Sequence, residues 1–304
     1  MPGKSSSGDH SPAAVKCSII IVSFNQFELL KAAIASVKDN PPPFAFEVIV
    51  VDNHSDGDVQ DYLNEFFHDI RVIGNPANRG FGWANNQGVQ SARGEFLLFL
   101  NSDAEIIGDA LPRMVQRLEA DKSIGILGPM LVNGDGSFQL SYGRRIALAS
   151  ECYQKFLAPF LEKVRQRSTR PFRALRDVDW VSGACLLTRR ELFLEEPVFD
   201  TNMFLYFEDH DLCLRVRAMG QRVVFFPGAR VRHHGGRSMA AIAAGTMIEY
   251  RKSQLYLYRK YLPSWQSNLL RRYLACKFRW KQWRTGDENV KQAAATILEL
   301  LKKN

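Results

Sequence analysis

Three polar clusters each close an apolar run. Ser23 and Asn25 follow Cys17–Val22, Asp52 and Asn53 follow Phe46–Val51, and Asn101, Ser102 and Asp103 follow Phe96–Leu100. Further along come Glu208-Asp209-His210-Asp211 and the pair His233-His234. Carboxylates and amides beside glycine-rich turns suit a divalent cation that holds phosphates, because a hard ion takes oxygen ligands. No Gly-x-Ser-x-Gly elbow is present, so the pattern does not point to acyl transfer through a serine. A single Asp such as Asp52 or Asp103 is as well explained as a helix N-cap. Recurrence at successive run ends is what favours a shared ligand site.

The elements that must position these groups alternate. Cys17–Val22, Phe46–Val51, Arg71–Ile73 and Phe96–Leu100 are short runs rich in branched or aromatic residues and read as buried strands. Helical spacing separates them, through Leu29, Leu30, Ile34 and Val37 before Asn40-Pro-Pro-Pro43, and through Tyr62, Leu63, Phe66 and Phe67. This alternation predicts an α/β fold with a mostly parallel central sheet and helices on both faces. In such sheets ligands bind beyond the carboxyl ends of the strands, where the three clusters fall. Residues 136–179 show no usable period. Beyond them Val181–Leu187 reads as a strand, Phe204–Asp211 runs into a helix over Leu212–Met219, and Arg222–Phe226 is a strand preceding Val231-Arg-His233. From about residue 240 the chain reads as helical, with Pro263 dividing the first long helix from the second.

With 304 residues, 46% hydrophobic and 24% charged, the composition is that of a globular protein and excludes disordered, collagen-like and coiled-coil classes. The net charge is +8, yet residues 250–286 hold ten Lys or Arg and no Asp or Glu, which leaves the rest of the chain at about −2. Five scattered cysteines, none in a CxxC pair, read as reduced, buried thiols in a cytoplasmic protein. The polar first fifteen residues suggest a disordered segment with no secretory signal, and no apolar run reaches the roughly 18 to 20 residues that span a bilayer.

Six ordered blocks now carry a specific resemblance. They are Ser18-Ile-Ile-Ile-Val-Ser-Phe-Asn25, Glu47-Val-Ile-Val-Val-Asp-Asn-His-Ser-Asp56, Asn75-Pro-Ala-Asn-Arg-Gly-Phe-Gly-Trp-Ala-Asn-Asn-Gln-Gly88, Phe99-Leu-Asn-Ser-Asp103, Trp180-Val-Ser-Gly-Ala184 and Phe207-Glu-Asp-His-Asp-Leu-Cys-Leu-Arg215. Together they resemble a family 2 glycosyltransferase of the GT-A fold, a Rossmann-like scaffold, in its rhamnosyltransferase-like branch.

The resemblance spans about residues 16–240 and implies a catalytic domain there. Its nucleotide-sugar half would cover about 16–130 and its acceptor half about 131–240, with residues 241–304 a helical tail. It implies that Ser23, Asn25, Asp52 and Asn53 flank the nucleotide. Asn78, Gly80 and Asn85 would lie by the diphosphate, where glycine lets the backbone approach and a helix start offers N–H groups. Asn101-Ser102-Asp103 stands where the family has an Asp-x-Asp metal motif, with Asn in place of the first acid. Asp103 would hold Mg²⁺ or Mn²⁺, and His233 would complete the metal site. Asp209 would be the general base of an inverting transfer, with Glu208 and Asp211 orienting the acceptor and Trp180 and Gly183 shaping its side of the site. The competing reading makes Asp209 the N-cap of the helix that follows. The implied donor is a nucleotide sugar, dTDP-rhamnose favoured and a UDP- or GDP-sugar possible, and the acceptor a cell-surface glycan or lipid-linked oligosaccharide.

In the tail, Leu255, Tyr258, Leu262, Trp265, Leu269, Tyr273, Cys276 and Trp280 recur at helical steps among Lys and Arg. That pattern predicts a surface helix pair on an anionic membrane, on the cytoplasmic face. Packing on the catalytic domain or on a second copy, as in a homodimer, is the alternative. A sugar-phosphate nucleotidyltransferase would carry Gly, Arg and Lys directly after the first strand, where Ser23-Phe-Asn-Gln-Phe27 stands, and a nucleic-acid-binding module would leave the acid and amide blocks unexplained. No nucleic-acid partner is expected.

Overall fold

The computed structural model describes residues 14–143, 174–235 and 244–302. The stretch expected to be disordered lies outside them except for its last two residues, as does Cys152.

The first half is a regular alternation: β1 (Cys17–Ser23), α1 (Phe27–Lys38), β2 (Phe46–Asp52), α2 (Val59–Asn64), β3 (Arg71–Gly74), α3 (Phe81–Ser91) and β4 (Phe96–Leu100). It continues through β5 (Ala104–Ile107), α4 (Ala110–Ala120) and β6 (Ile124–Val132). The central path runs β3-β2-β1-β4-β11-β6-β12-β5, where β11 is Cys185–Arg189 and β12 is Arg222–His233. Parallel pairing holds for β3-β2, β2-β1, β1-β4 and β6-β12, which makes the path mostly parallel. Ile19 and Ile21 of β1 join one core cluster and Ile20 the other, so this strand is covered on both faces. Register sets Ser23 beside Asp52 and Asp52 beside Gly74 at the carboxyl ends.

Irregularity concentrates in the second half. Short pieces, β7 (Phe138–Gln139), β8 (Tyr142–Gly143) and β9 (Arg176–Asp177), stand where the sequence shows no period, and β10 (Trp180–Val181) follows directly after. The strand expected over Val181–Leu187 is two, because the chain leaves the ladder at Ser182-Gly183-Ala184, and a Cβ on Gly183 would come within 3.3 Å of Asp209. The helix expected from Leu212 begins four residues earlier, as α5 (Glu208–Ala218). Tyr206 and Phe207 precede it with φ of 68° and 69°, a left-handed conformation that bulky residues rarely adopt. The two runs around Pro227 form one strand, β12, whose register against β6 shifts between Phe226 and Arg230, since proline has no N–H for the ladder.

The C-terminal segment forms α6 (Ala244–Tyr261), α7 (Ser264–Arg284) and α8 (Glu288–Lys302), with Pro263 at the expected break. A second break, at residues 285–287, gives no signal in the apolar pattern. Tyr258, Leu270, Leu274, Phe278, Ile297 and Leu301 form a core of their own. α6 also docks on the α/β body: Leu257 packs with Met203 and Phe207, and the Ser253 hydroxyl donates to the Leu205 carbonyl at 2.8 Å. Lys260 Nζ lies 2.6 Å from Asp200 and 2.7 Å from Asp211, and the Tyr261 hydroxyl donates to Asp211 at 2.7 Å. The opposite face of α7 is exposed, with Trp265, Leu269, Tyr273, Trp280 and Trp283 in water. No helix among the described residues is long and apolar enough to cross a membrane.

Candidate active site

A cleft of about 650 Å³ opens beyond the carboxyl ends of β1 and β4 and is closed on its far side by α5. Its walls include Asn53, Asn78, Gly80, Asn101, Ser102, Asp103, Gly183, Glu208, Asp209 and His233, ten of the residues expected to line a site. These ten residues, up to 180 positions apart in sequence, thus share one cavity.

One wall is a closed amide network. Asn53 Nδ2 donates to Asn78 Oδ1 at 2.8 Å and to the Gly80 carbonyl at 3.3 Å, while Asn53 Oδ1 accepts from Arg79 N–H at 3.3 Å. The helix start is partly engaged within the protein. The first helical N–H of α3, from Phe81, donates to the Phe204 carbonyl at 2.9 Å, and Gly80 N–H donates to Asn78 Oδ1 at 3.0 Å. Gly80 has φ of 94°, and a Cβ there would stand 2.5 Å from the Phe204 oxygen. The neighbouring chain segment therefore requires a glycine at this point of the cleft wall.

At the second wall, His233 Nε2 lies 3.2 Å from Asp103 Oδ1 and 3.4 Å from Asn101 Nδ2. On its other side His233 Nδ1 lies 2.9 Å from Gln139 Oε1, which fixes the ring plane. Asn101 Oδ1 is buried with no hydrogen-bond partner. Asp103, His233 and Asn101, whose amide oxygen is orphaned, thus line the cleft together. Among the described residues no group of three or more His, Cys, Asp or Glu forms a fuller cage. His234 turns away, its Nε2 2.7 Å from Glu105 Oε1.

The third wall is the start of α5. Its N-cap is Phe207, so Asp209 lies inside the first turn and is not the cap weighed from sequence. Asp209 Oδ2 accepts from Gly183 N–H at 2.9 Å, and Oδ1 accepts from His210 N–H at 2.8 Å. Burial raises its pKa, but His210 and these N–H donors outweigh that and hold the carboxyl below the usual range. Glu208 has the opposite balance. Burial and the charge of Asp209 push it up to about 8, and its Oε2 is buried without a partner.

The remaining expected residues lie off the cleft wall. Ser23 and Asp52 sit just behind it; the Ser23 hydroxyl is buried without a partner, and Asp52 Oδ1 accepts from the Ser55 hydroxyl at 2.6 Å. Asn25, with φ of 54°, clamps the β2 loop by donating to Asp56 at 3.0 Å and accepting from its N–H at 2.6 Å. Asn85 is buried within α3, donating to the Phe81 carbonyl at 3.0 Å. Trp180 stacks on His210, with centroids 4.3 Å apart, instead of facing the cleft. Asp211 is fully enclosed; beside Lys260 and Tyr261 it accepts from Arg215 Nε at 2.9 Å, the helical-turn pair that the spacing allows.

Sequence reasoning misses Gln139, Phe204, Tyr206 and Thr246 on the cleft wall. Gln139 falls in the stretch without a period, and Thr246 belongs to the segment read as a tail.

A family model described as glycosyl transferase family 2 matches residues 18–195. The chain belongs to that family. This family 2 glycosyltransferase is 27% identical over 240 residues to the N-acetylglucosaminyl-diphospho-decaprenol L-rhamnosyltransferase of Mycobacterium tuberculosis (strain ATCC 25618 / H37Rv), a match covering 73% of this chain and 78% of that one. It is 29% identical over 240 residues to the O-antigen biosynthesis protein RfbC of Myxococcus xanthus, covering 75% of this chain and 18% of that protein. Among solved structures, that of GalNAc-T7 with UDP, GalNAc and Mn²⁺ is similar with a TM-score of 0.56 at 19% identity, over 73% of this chain and 43% of that one. The chain thus spans under half the length of that structure, and the likeness extends to the fold, a GT-A glycosyltransferase scaffold.

Proposed function

We propose that this glycosyltransferase works by inversion, with Asp209 as general base, and moves a sugar from a nucleotide donor to a hydroxyl of a glycan or lipid-linked acceptor. The observation that carries the reading is the placement of Asp209 across one cleft from Asp103 and His233. One displacement needs one base, whereas the paired carboxylates of a retaining hydrolase divide the work differently. Asp209 is ionised by its surroundings and available to take the acceptor proton, while Glu208, kept protonated at neutral pH, adds no second charge beside it. Glu208 and Gly183 line the side from which the acceptor would enter.

Asp103 Oδ1, His233 Nε2 and Asn101 Oδ1 fit Mg²⁺ or Mn²⁺ as a partial set that donor diphosphate oxygens would complete. A cation there supplies charge neutralisation for the departing nucleotide diphosphate. Asn53, Asn78, Gly80 and Ser102 then hold the nucleotide side, supported by Ser23, Asn25, Asp52 and Asn85. In this division residues 16–130 bind the donor and 131–240 the acceptor. Similarity to the mycobacterial rhamnosyltransferase favours dTDP-rhamnose and a lipid-linked acceptor.

The exposed stripe of α7 supports a place on an anionic membrane surface, on its cytoplasmic side. Trp265, Leu269, Tyr273, Cys276, Trp280 and Trp283 follow each other at steps of three or four, flanked by Arg272 and Arg279 on one side and Lys277 and Arg284 on the other.

The test is calorimetry of the full chain with dTDP-rhamnose, UDP-sugars and GDP-sugars, each with Mg²⁺, Mn²⁺ and chelator. Binding of one nucleotide sugar that needs the cation supports the donor reading, and cation-independent binding overturns the metal assignment. Co-sedimentation with phosphatidylglycerol vesicles should fall at least tenfold when Trp265, Trp280 and Trp283 are replaced by Ser, and equal sedimentation would overturn the membrane reading.

A further inference from the structure

His210 has no part in the transfer as outlined, yet its ring is held on three sides. Nδ1 lies 2.8 Å from Asp209 Oδ1, and the indole of Trp180 stacks on the imidazole with 26° between planes. Phe207 closes the third side with ring centroids 5.3 Å apart. The Trp180 indole packs directly on Gly143, where a Cβ would stand 2.6 Å from it. A carboxylate only accepts hydrogen bonds, so the nitrogen that faces it carries the hydrogen and His210 is the Nδ1–H tautomer.

The two oxygens of Asp209 are not equivalent. Oδ1 accepts twice, from the backbone N–H and the ring Nδ1–H of His210, each at 2.8 Å. Oδ2 accepts once, from Gly183 N–H at 2.9 Å. With two lone pairs on each oxygen, Oδ1 is saturated and Oδ2 keeps one free.

We propose that His210, braced by Trp180, is a positioning residue for the base: it saturates Oδ1 and fixes the carboxylate plane so that Oδ2 takes the acceptor proton. This rests on the reading of Asp209 as base. In the step, the acceptor O–H bond breaks and its oxygen bonds to the anomeric carbon. The bond from that carbon to the nucleotide diphosphate leaves with its electron pair, and the proton ends on Oδ2 while His210 keeps its own. The other groups facing Asp209 are Glu208 on the same helix, the buried Cys213 thiol one turn on, pushed up by burial and therefore neutral, and the Gly183 amide from the β10–β11 turn. Loss of the His210 ring removes one of the three hydrogen bonds that hold the carboxylate, leaving only the two backbone N–H groups to set its plane and to oppose the upward pull of burial on its pKa.

The experiment uses the full chain with Mn²⁺ and follows hydrolysis of dTDP-L-rhamnose or UDP-N-acetylglucosamine, with water as acceptor, from pH 4 to 9. His210→Ala should lower kcat about 10- to 100-fold with donor KM within about twofold, and move the acidic limb up by about one pH unit. His210→Asn, which keeps a side-chain N–H donor, should recover part of the loss. Wild-type kcat and an unmoved limb in His210→Ala, with Asp209→Asn inactive, would overturn the positioning role. Near-normal turnover in Asp209→Asn would instead overturn the base itself. A separate readout needs neither metal nor donor: ¹⁵N spectra of the full chain should show His210 as Nδ1–H and respond to Asp209→Asn. An Nε2–H tautomer would refute the proposal even if the alanine variant fails to fold.

Discussion

The cleft has two acidic corners built from the same residue type in opposite settings. At the end of β4, Asp103 stands 3.2 Å from the imidazole Nε2 of His233 beside an amide whose oxygen is orphaned, a set of donor atoms that suits a cation. At the start of α5, Asp209 faces N–H groups and a protonated neighbour, so the surroundings offer hydrogens and leave one lone pair for a proton. A carboxylate's task is set by what surrounds it. Strand ends and helix starts supply the two kinds of surroundings.

The largest effect that would break this contrast is at the helix corner. Asp209→Asn should lower transfer by about 10²- to 10⁴-fold, as expected for a general base, with the nucleotide sugar still bound. At the strand corner, Asp103→Asn and His233→Ala should instead weaken cation-dependent donor binding by about 10- to 100-fold, read by calorimetry with and without Mn²⁺. If both corners changed only affinity, or both only turnover, the division of labour would be wrong.

A third variant sharpens the helix corner. Glu208 is raised from an ordinary carboxylate value to about 8, so the folded state binds the proton more tightly than the unfolded chain does. Its neutral form favours folding fully at low pH, and stability declines as pH rises from about 4.5 to 8. Glu208→Gln should flatten that decline in urea melts at pH 5 and pH 8, and should remove an activity loss above about pH 8. A variant with the wild-type pH dependence would contradict the assignment.

The smallest effect concerns the support beneath α5. Asp211 is fully buried and tied to Lys260 of α6, so Lys260→Met should cost roughly 2 kcal/mol, reduced from a fully buried pair because the lysine is partly exposed and Arg215 and Tyr261 remain. Urea midpoints would measure it, and an unchanged midpoint would mean that α6 does not brace the helix.

These contrasts also show what the sequence could carry. The β1, β2 and β4 runs and the polar groups that close them were legible because a strand buried on both faces is a continuous apolar run, and its exit is polar. The family blocks brought Glu208 and Asp209 to the same site across more than a hundred residues. The stacking of Trp180 on His210 was not legible, since it depends on β8 and β10 pairing through two residues each, too short to show a period. The left-handed Tyr206 and Phe207 were hidden because large aromatic side chains normally argue against such φ values. The role of α6 was obscured by charge. Ten basic residues without an acid read as a free surface, yet Lys260 pairs with Asp200 and Asp211 from outside that window. Only the exposed half of the apolar stripe, on α7, retains the character read from the pattern.

The central claim, that one acid of the cleft takes the proton while the other serves the donor, is tested most directly by single turnover of Asp209→Asn with a saturating nucleotide sugar and Mn²⁺. Donor affinity within about twofold of wild type and a transfer step at least about 100-fold slower is the expected result. A transfer step near the wild-type rate would contradict it.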